Sequence, residues 1–586
     1  MEKNNLDQKR HSLAHLLGAA VLNFYPDAKL AIGPAIDNGF YYDFDFSTPI
    51  SDKDLGKIEQ KMRELLKKWS AFEGKEISEK EARELFANNP YKLELIDGIV
   101  KEGEKITVYT SGDFTDLCGG GHIASTKEIE SGSFKLDRIA GAYWRGDEKN
   151  KMLTRIYGLA FDNKLELEAY IKRVEEAKAR DHKKLGKDLD LFVIDEKVGK
   201  GLPMWTPRGT AIKFELEKFT RDLERKYGYE HVTTPYLGAE ELYKTSGHLE
   251  HYSHNMYTPI DMDGEKFYLR PMACPHHIRM FQRKVWSYRD LPIRYAEIAD
   301  YNRYEKSGEL MGMIRVRKFQ LTDAHLFVTP EGLKEEFKKV CEMIIEGMKG
   351  LGLSDIVSYR FSKRDPNNKE KYFPDDQLWN ISEKLMKEAL DDMKIKYVEA
   401  EDEAAFYGPK LDVQAKNVNE KEDTLFTAQI DFLLPQKFEI EYTDKDGTKK
   451  SPVMIHRSTI GCLERTFAFL IEHYAGNFPT WLAPTQIKII PVRENHNEYA
   501  KKIADELKAL DVRVDLDDTD EGMGKKIRAG KNMKVPYMLV IGDKEMESNE
   551  LTLEIRGVGQ DGKQEKISLE KLKERLLKEI KERIVL

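Results

Sequence analysis

The chain has 586 residues, 40% hydrophobic and 34% charged, with 95 basic against 103 acidic side chains and a formal net charge of -8. At roughly 150 residues per domain the length predicts three or four domains, and the balance excludes disordered, fibrous and histone-like classes. No apolar run approaches the roughly 18–20 residues of a membrane span, no apolar stretch follows Met1 to mark a secretory leader, and four cysteines (Cys118, Cys274, Cys341, Cys462) cannot build a disulfide framework and fit a reducing cytoplasm.

From the N-terminus, the pattern predicts a short helix over residues 10–24 and a strand pair within 32–46, with Asp37-Asn38-Gly39 as its turn. Helices follow near 54–69 and 78–87. Residues 162–186 are strongly charged, with Leu165, Leu167, Tyr170, Ile171 and Val174 near helical spacing, and read as one connecting helix. The largest block, about 187–482, ends in the linker Phe478-Pro-Thr-Trp-Leu-Ala-Pro484. Beyond it, strands at 487–491, 512–516 and 537–541 alternate with helices at 497–510 and 525–532, the pattern of a small α/β domain. A helix over 568–584 carries Leu569, Leu572, Leu576 and Ile580 on one face, which predicts docking against the domain rather than a membrane anchor.

No phosphate-binding loop and no nucleophile elbow is present. Three arginine-bearing segments stand in their place: Tyr301-Asn-Arg303-Tyr-Glu305, Ile314-Arg315-Val-Arg-Lys-Phe319, and Ile460-Gly461-Cys-Leu-Glu-Arg465. A guanidinium grips phosphate or carboxylate in two places. Glu305 is expected on the same strand face as Arg303, and Gly461 is expected to allow close approach at a strand-to-helix turn. Singly, each arginine reads more readily as a surface charge; in this order they are far more specific.

With Pro235 closing a first motif, these segments resemble the three motifs of the class II aminoacyl-tRNA synthetases. Within that class the chain is similar to the threonyl-tRNA synthetase family over nearly its whole length. The similarity rests on His11-Ser-Leu-Ala-His15, Ala31-Ile-Gly-Pro34, Asp37-Asn-Gly-Phe-Tyr-Tyr-Asp43, Gly141-Ala-Tyr-Trp-Arg-Gly-Asp147, Arg270-Pro-Met-Ala-Cys-Pro275, Phe406-Tyr-Gly-Pro-Lys410 and Pro452-Val-Met-Ile-His-Arg457.

The resemblance implies an α+β multidomain fold: an N-terminal α+β editing domain (1–160), a linker helix (161–186), a class II catalytic domain on an antiparallel sheet of six or seven strands (187–482), and a C-terminal α/β anticodon-binding domain (483–586). It implies a ligase that activates L-threonine with ATP and Mg²⁺ and passes it to tRNA(Thr) as a cytoplasmic homodimer, the helix expected over 210–226 building the dimer interface. Arg303 would hold the α-phosphate and the threonine carboxylate, Glu305 the adenine amino group and Phe319 the adenine ring. Arg315 and Arg465 would take the terminal phosphates, and Gln429 would line the ATP site. His248 would assist transfer, a surface histidine being the alternative.

By spacing alone Cys274, His325 and His456 are more readily core residues than ligands. The resemblance places all three where the family holds one zinc per subunit, with Asp323 accepting the threonine hydroxyl proton and Tyr407 lining the pocket. A missing methyl is worth only about 10–200-fold in discrimination, so serine calls for a second, hydrolytic site. His11 with His15 and Cys118 with His122 each share a face if helical. Spacing favours a structural zinc there; the resemblance implies metal-free hydrolysis of seryl-tRNA, with Asp116 and Lys92 nearby.

The pattern also departs from the family. The ubiquitin-like domain that bacterial relatives carry ahead of the first editing histidine is expected to be missing, Leu321 replaces a substrate-contacting glutamine, and Glu554 and Asp520 replace anticodon-reading residues. Glu545 is retained and Arg556 is the candidate substitute reader. Rival readings are a synthetase-derived RNA-binding protein without catalysis, which the intact arginines and zinc trio oppose, and a synthetase for serine or proline.

Overall fold

The computed structural model describes residues 5–418, 420–548, 550–557 and 563–585, and it divides into two compact units, Met1–Glu175 and Glu176–Leu586.

In the first unit the helix Asn5–Phe24 buries Leu13, Leu16, Leu17, Ala20 and Val21, the i, i+3, i+4 stripe of a helix on a core. Phe40, Tyr42 and Phe44, alternate residues of the strand Gly39–Asp45, pack into the same core. That strand meets Ala35–Ile36 across the Asp37-Asn38 turn and pairs antiparallel with Met152–Ala160, which pairs in turn with Phe134–Tyr143. Gly39 is required there, since a Cβ would lie 1.9 Å from the Gly158 carbonyl oxygen. A second sheet, Glu73–Glu76, Thr107–Ser111 and Phe114–Leu117, delivers Asp116 and then Cys118.

The segment expected as one helix forms two, Lys164–Arg180 and His182–Asp188. Asp181 leaves the helical region (φ -48°, ψ 123°) and its carboxylate accepts the Lys183 amide at 2.7 Å, capping the second helix.

The second unit is built on an eight-stranded sheet. Its order is Glu230–His231, Ile293–Asn302, Lys318–Val328, Val453–Cys462, Glu422–Asp431, Lys410–Lys416, Val357–Ser362, Tyr397–Ala400. The six central strands are antiparallel and the two edge strands pair parallel. The period-2 alternation of strands sorts its faces. Ala324, Leu326, Val328, Ile455, Ala428 and Ile430 share a core with Ile212 and Leu216 of the helix Pro207–Lys226, Phe337 and Val340 of Leu333–Gly350, and Phe467 of Leu463–His473. The intervening Asp323, His325, His456, Gln429 and Asp431 therefore face away from those helices.

After residue 482 the strands Ile487–Pro491 and Tyr537–Ile541 lie where the alternation placed them, and Val514–Leu516 pairs parallel to the first. Two further strands, Glu550–Ile555 and Lys563–Ser568, extend the sheet antiparallel, so it is mixed rather than a simple α/β alternation. The helix Leu569–Lys581, capped by Ser568, buries Leu572 and Leu576.

Candidate functional site

One cavity of about 380 Å³ lies on the polar face of the large sheet, and Cys274, Arg303, Glu305, Arg315, Phe319, Asp323, His325, Tyr407, Gln429, His456 and Arg465 all line it. The structure thus brings together every residue that the resemblance assigned to ATP, threonine and metal. The strand Ile293–Asn302 ends before Arg303, so Arg303 and Glu305 lie in the loop beyond it and not on a strand face as expected. What orients them is pairing. Glu305 accepts Arg315 Nε at 2.8 Å, and its carbonyl accepts Arg317 Nε at 2.9 Å. The Arg303 guanidinium lies 5.1 Å from the Phe319 ring centroid and donates from Nε to the Pro271 carbonyl at 3.3 Å. Gly461 has φ +72° and a Cβ there would meet the Leu425 carbonyl oxygen at 2.1 Å. The close approach is real, and it leaves Arg465 in the first turn of the following helix, bonded to the carbonyls of Ile314 (3.2 Å) and Thr424 (3.1 Å).

Cys274 begins the helix Cys274–Phe281, while His325 and His456 are direct partners across neighbouring strands. Their donor atoms lie within 4.8 Å of one another and all three residues are buried. His325 Nδ1 sits 2.8 Å from His277 Nδ1, and His456 Nε2 sits 2.8 Å from Asp431 Oδ2. Each histidine therefore keeps one nitrogen for a cation and has the other held, the arrangement metal-binding histidines require. Burial pushes the Cys274 thiol well above its ordinary range; a cation among one sulfur and two nitrogens would reverse that. The donor set fits a zinc site with an open position. Asp323, raised by burial against a bond from Tyr301, sits beside it with Oδ2 3.8 Å from His325 Nε2. The Tyr407 hydroxyl donates to Gln429.

The support behind the trio was not read from the sequence. Asp431, fully buried, also accepts the amides of Leu433 (2.7 Å) and Leu434 (3.0 Å), a helix cap signalled by Asp ahead of an apolar run. Glu297 receives His277 Nε2 at 3.1 Å, Arg270 Nη2 at 3.1 Å and the Thr234 amide and hydroxyl at 3.1 and 2.7 Å. Burial alone would raise this carboxyl, but His277, Arg270 and Thr234 hold it down to about 2 from 4.5. A depressed carboxyl contributes stability that is present above its unfolded value and lost as pH falls through the folded one, here between 4.5 and about 2. The contribution at pH 7 is about 3 kcal/mol. Glu297→Gln is accordingly expected to lower the urea midpoint at neutral pH, and the gap from the parent chain should shrink as pH drops below 4.5. A gap that stays constant with pH would remove the charge from the account.

In the N-terminal unit His11, His15, Cys118 and His122 have donor atoms within 4.8 Å of one another. His11 and His15 do share a helix face. Cys118 and His122 do not: residues 118–122 are a loop in which Gly120 and Gly121 take positive φ, folding the chain back on itself. Cys118 Sγ lies 3.0 Å from His11 Nε2 and 3.4 Å from His122 Nε2, and Phe72 stacks flat on the His122 ring at 4.6 Å. His15 is buried with Nδ1 lacking a hydrogen-bond partner, and burial, His11 and Lys92 all favour its neutral form. Lys92 and Asp116 form a buried ion pair at 2.5 Å, and both bond the Tyr42 hydroxyl.

His248 is 2% exposed, which overturns the surface reading. Burial and Arg303 push it down to about 3, so it is neutral, with Nδ1 2.7 Å from Ser246 Oγ and Nε2 3.2 Å from Met272 Sδ at the cavity wall. Glu545 accepts the Gly542 amide at 3.0 Å and the Thr552 hydroxyl at 2.8 Å. Arg556 lies just past its strand, and its guanidinium is committed to the carbonyls of Lys534, Asn477 and Phe478. It is a loop clamp and not a substitute base reader. Glu554 is buried and paired with Lys531 at 2.7 Å.

Three family descriptions match the chain. They are the tRNA synthetase class II core domain (G, H, P, S and T) at residues 257–474, the anticodon binding domain at 486–579, and the threonyl and alanyl tRNA synthetase second additional domain at 106–157. A threonine–tRNA ligase of Staphylococcus carnosus (strain TM300) is 51% identical over 550 residues, 94% of this chain and 84% of that protein. One of Anoxybacillus flavithermus (strain DSM 21510 / WK1) is 48% identical over 579 residues, 98% of this chain and 89% of that protein. Among solved structures, the RNA binding domain of threonyl-tRNA synthetase from Cryptosporidium parvum Iowa II aligns with TM-score 0.63 at 34% identity, covering 68% of this chain and 97% of that one.

Proposed function

The chain belongs to the threonine–tRNA ligase family of class II synthetases, and on that premise we propose how its residues divide the work. The enzyme activates threonine with ATP and Mg²⁺, transfers it to tRNA, and edits mischarged product in an additional domain. The single observation that carries the residue-level reading is that the three arginine segments and the Cys-His-His trio line one cavity.

In activation, a threonine carboxylate oxygen attacks the α-phosphorus of ATP and pyrophosphate leaves. Arg303 bridges the carboxylate and the α-phosphate, and Arg315 and Arg465 carry the departing charge. Prepositioned cations of this kind stabilise charge as it develops. Glu305, Phe319 and Gln429 frame the nucleotide. Cys274, His325 and His456 would hold zinc, which when bound supplies a Lewis-acidic seat for the substrate amino and hydroxyl groups. Asp323 accepts the hydroxyl proton and Tyr407 closes the wall, so valine, lacking the hydroxyl, leaves polar groups unpaired and is rejected. In transfer, the 3′-terminal ribose hydroxyl of tRNA(Thr) attacks the adenylate carbonyl, the C–O bond to the phosphate breaks and the hydroxyl proton leaves with AMP, with neutral His248 at the cavity wall.

Serine passes this filter, and His11, His15, Cys118 and His122 place a water against the seryl ester. The buried polar network of Lys92 and Asp116 in the same unit supports a site that handles water. Cys118→Ala is expected to slow hydrolysis of preformed seryl-tRNA(Thr) about a hundredfold, leaving threonine activation and metal content unchanged; loss of a second metal equivalent would identify the structural zinc instead.

Residues 1–160 are assigned to editing, 161–186 to the link, 187–482 to catalysis and 483–586 to anticodon binding, with Glu545 on the anticodon face. The helix Pro207–Lys226, with Phe214 60% exposed, supports a homodimer. Among the described residues no helix is long and apolar enough to cross a membrane, in keeping with a cytoplasmic enzyme.

The test is ATP–pyrophosphate exchange with threonine, serine and valine in parallel. Strong exchange with threonine, weaker with serine and almost none with valine is expected; no exchange with any of them would leave an RNA-binding relic as the better account.

A further inference from the structure

We propose that His182 is a positioning residue for activation, a latch that holds the turn carrying Arg315 at the rim of the cavity. The proposal rests on the reading that Arg315 binds the phosphates of ATP.

His182 opens the helix His182–Asp188 and is 2% exposed. Its Nδ1 lies 2.7 Å from Glu472 Oε1, which its own backbone amide also approaches at 3.3 Å. Its Nε2 accepts the Met313 amide at 3.2 Å. A carboxylate on one side and an N–H on the other admit one species, the neutral imidazole with its proton on Nδ1. The contact also needs Gly312, which has φ +50°; a Cβ there would lie 2.1 Å from His182 Nε2.

The latched turn is short and closed. Met311 and Arg315 exchange backbone hydrogen bonds at 3.1 and 3.2 Å, and the Ile314 amide returns to Met311 at 2.9 Å. Three groups of the site hang on it: Arg315 with its bond to Glu305, Ile314 in the cavity wall, and Arg465, whose Nε donates to the Ile314 carbonyl. Glu472, the anchor, sits in the last turn of Leu463–His473, the helix whose first turn holds Arg465. One imidazole therefore ties both phosphate-facing arginines to a single rigid element, and it touches no substrate itself.

A histidine that merely fills the core and one that positions the turn respond differently to two replacements. Asparagine can keep the bond made by Nδ1 to Glu472 but does not reach Met313. Glutamine can reach the Met313 amide with its carbonyl oxygen but forfeits Nδ1. On the 586-residue chain, His182→Asn is expected to speed hydrogen–deuterium exchange at the Met313 amide by about tenfold or more and to raise KM for ATP about tenfold, the worth of one buried hydrogen bond. KM for threonine should be unchanged, and His182→Gln should restore both readouts toward the parent chain. The proposal is overturned if His182→Asn keeps the Met313 protection and the ATP KM, or if both variants lower the melting temperature alike and depress kcat without separating the two KM values. Exchange protection decides the latch even if the parent chain activates no amino acid, an outcome that would sink the functional reading alone.

Discussion

Arg303→Ala is expected to lower threonine-dependent ATP–pyrophosphate exchange by about 10³-fold, the upper range for deleting one preorganised group facing developing charge. In the proposed activation step Arg303 serves two ligands, the α-phosphate and the amino-acid carboxylate, so its loss should cost both KM for threonine and kcat. The Phe319 ring 5.1 Å from its guanidinium carbon and the Pro271 carbonyl fix the plane of the fork. Lysine, a point charge without that plane, should recover only a small part. If the alanine enzyme came within tenfold of the parent, Arg303 would not be at the reacting centre.

Cys274→Ser should be as damaging by a different route. Serine keeps the shape at the start of the Cys274–Phe281 helix but replaces the proposed thiolate ligand with a hydroxyl that does not bind zinc comparably. Elemental analysis should fall from about one zinc per chain toward none, and threonine activation should fall by about 10³-fold. Discrimination against valine should fall too, which distinguishes loss of recognition from general damage. Asp431→Asn, which leaves the trio intact and weakens the carboxylate behind His456, should cost metal affinity about 10–100-fold. A Cys274→Ser enzyme that retained zinc and still rejected valine would separate the trio from threonine recognition.

What the sequence made legible follows the range of the forces involved. Periodicity is local, so the strands at 487–491 and 537–541 could be read directly, and Gly461 announced its close approach. The resemblance then supplied what no spacing could: that Cys274, His325 and His456 converge. Their meeting depends on strand pairing over long separations, which leaves no local mark. Where local signals misled, a competing local term had won. Asp181 prefers capping to continuing a helix, and two positive-φ glycines bend residues 118–122 that an i, i+4 spacing would place on a helix. Arg556 looked free for RNA because a sequence does not show which backbone carbonyls lack donors. Glu297 and His182 went unread because their partners lie far away in the chain, and Asp431 offered only its local cap, not its bond to His456.

The pairing order of the large sheet also governs how the enzyme is made. The strand Lys318–Val328 carries Asp323 and His325, yet its second neighbour begins only at Val453, so during synthesis at about 5–20 residues per second one of its edges waits on the order of ten seconds for a partner. An unpaired apolar strand edge is a template for association with other chains. The first unit spans a similar gap, from the strand ending at Asp45 to its partner beginning at Met152, but its core is complete by residue 175. Ribosome-bound chains halted between residues 330 and 450 should therefore present a settled N-terminal unit joined to a chaperone-binding, aggregation-prone half-sheet.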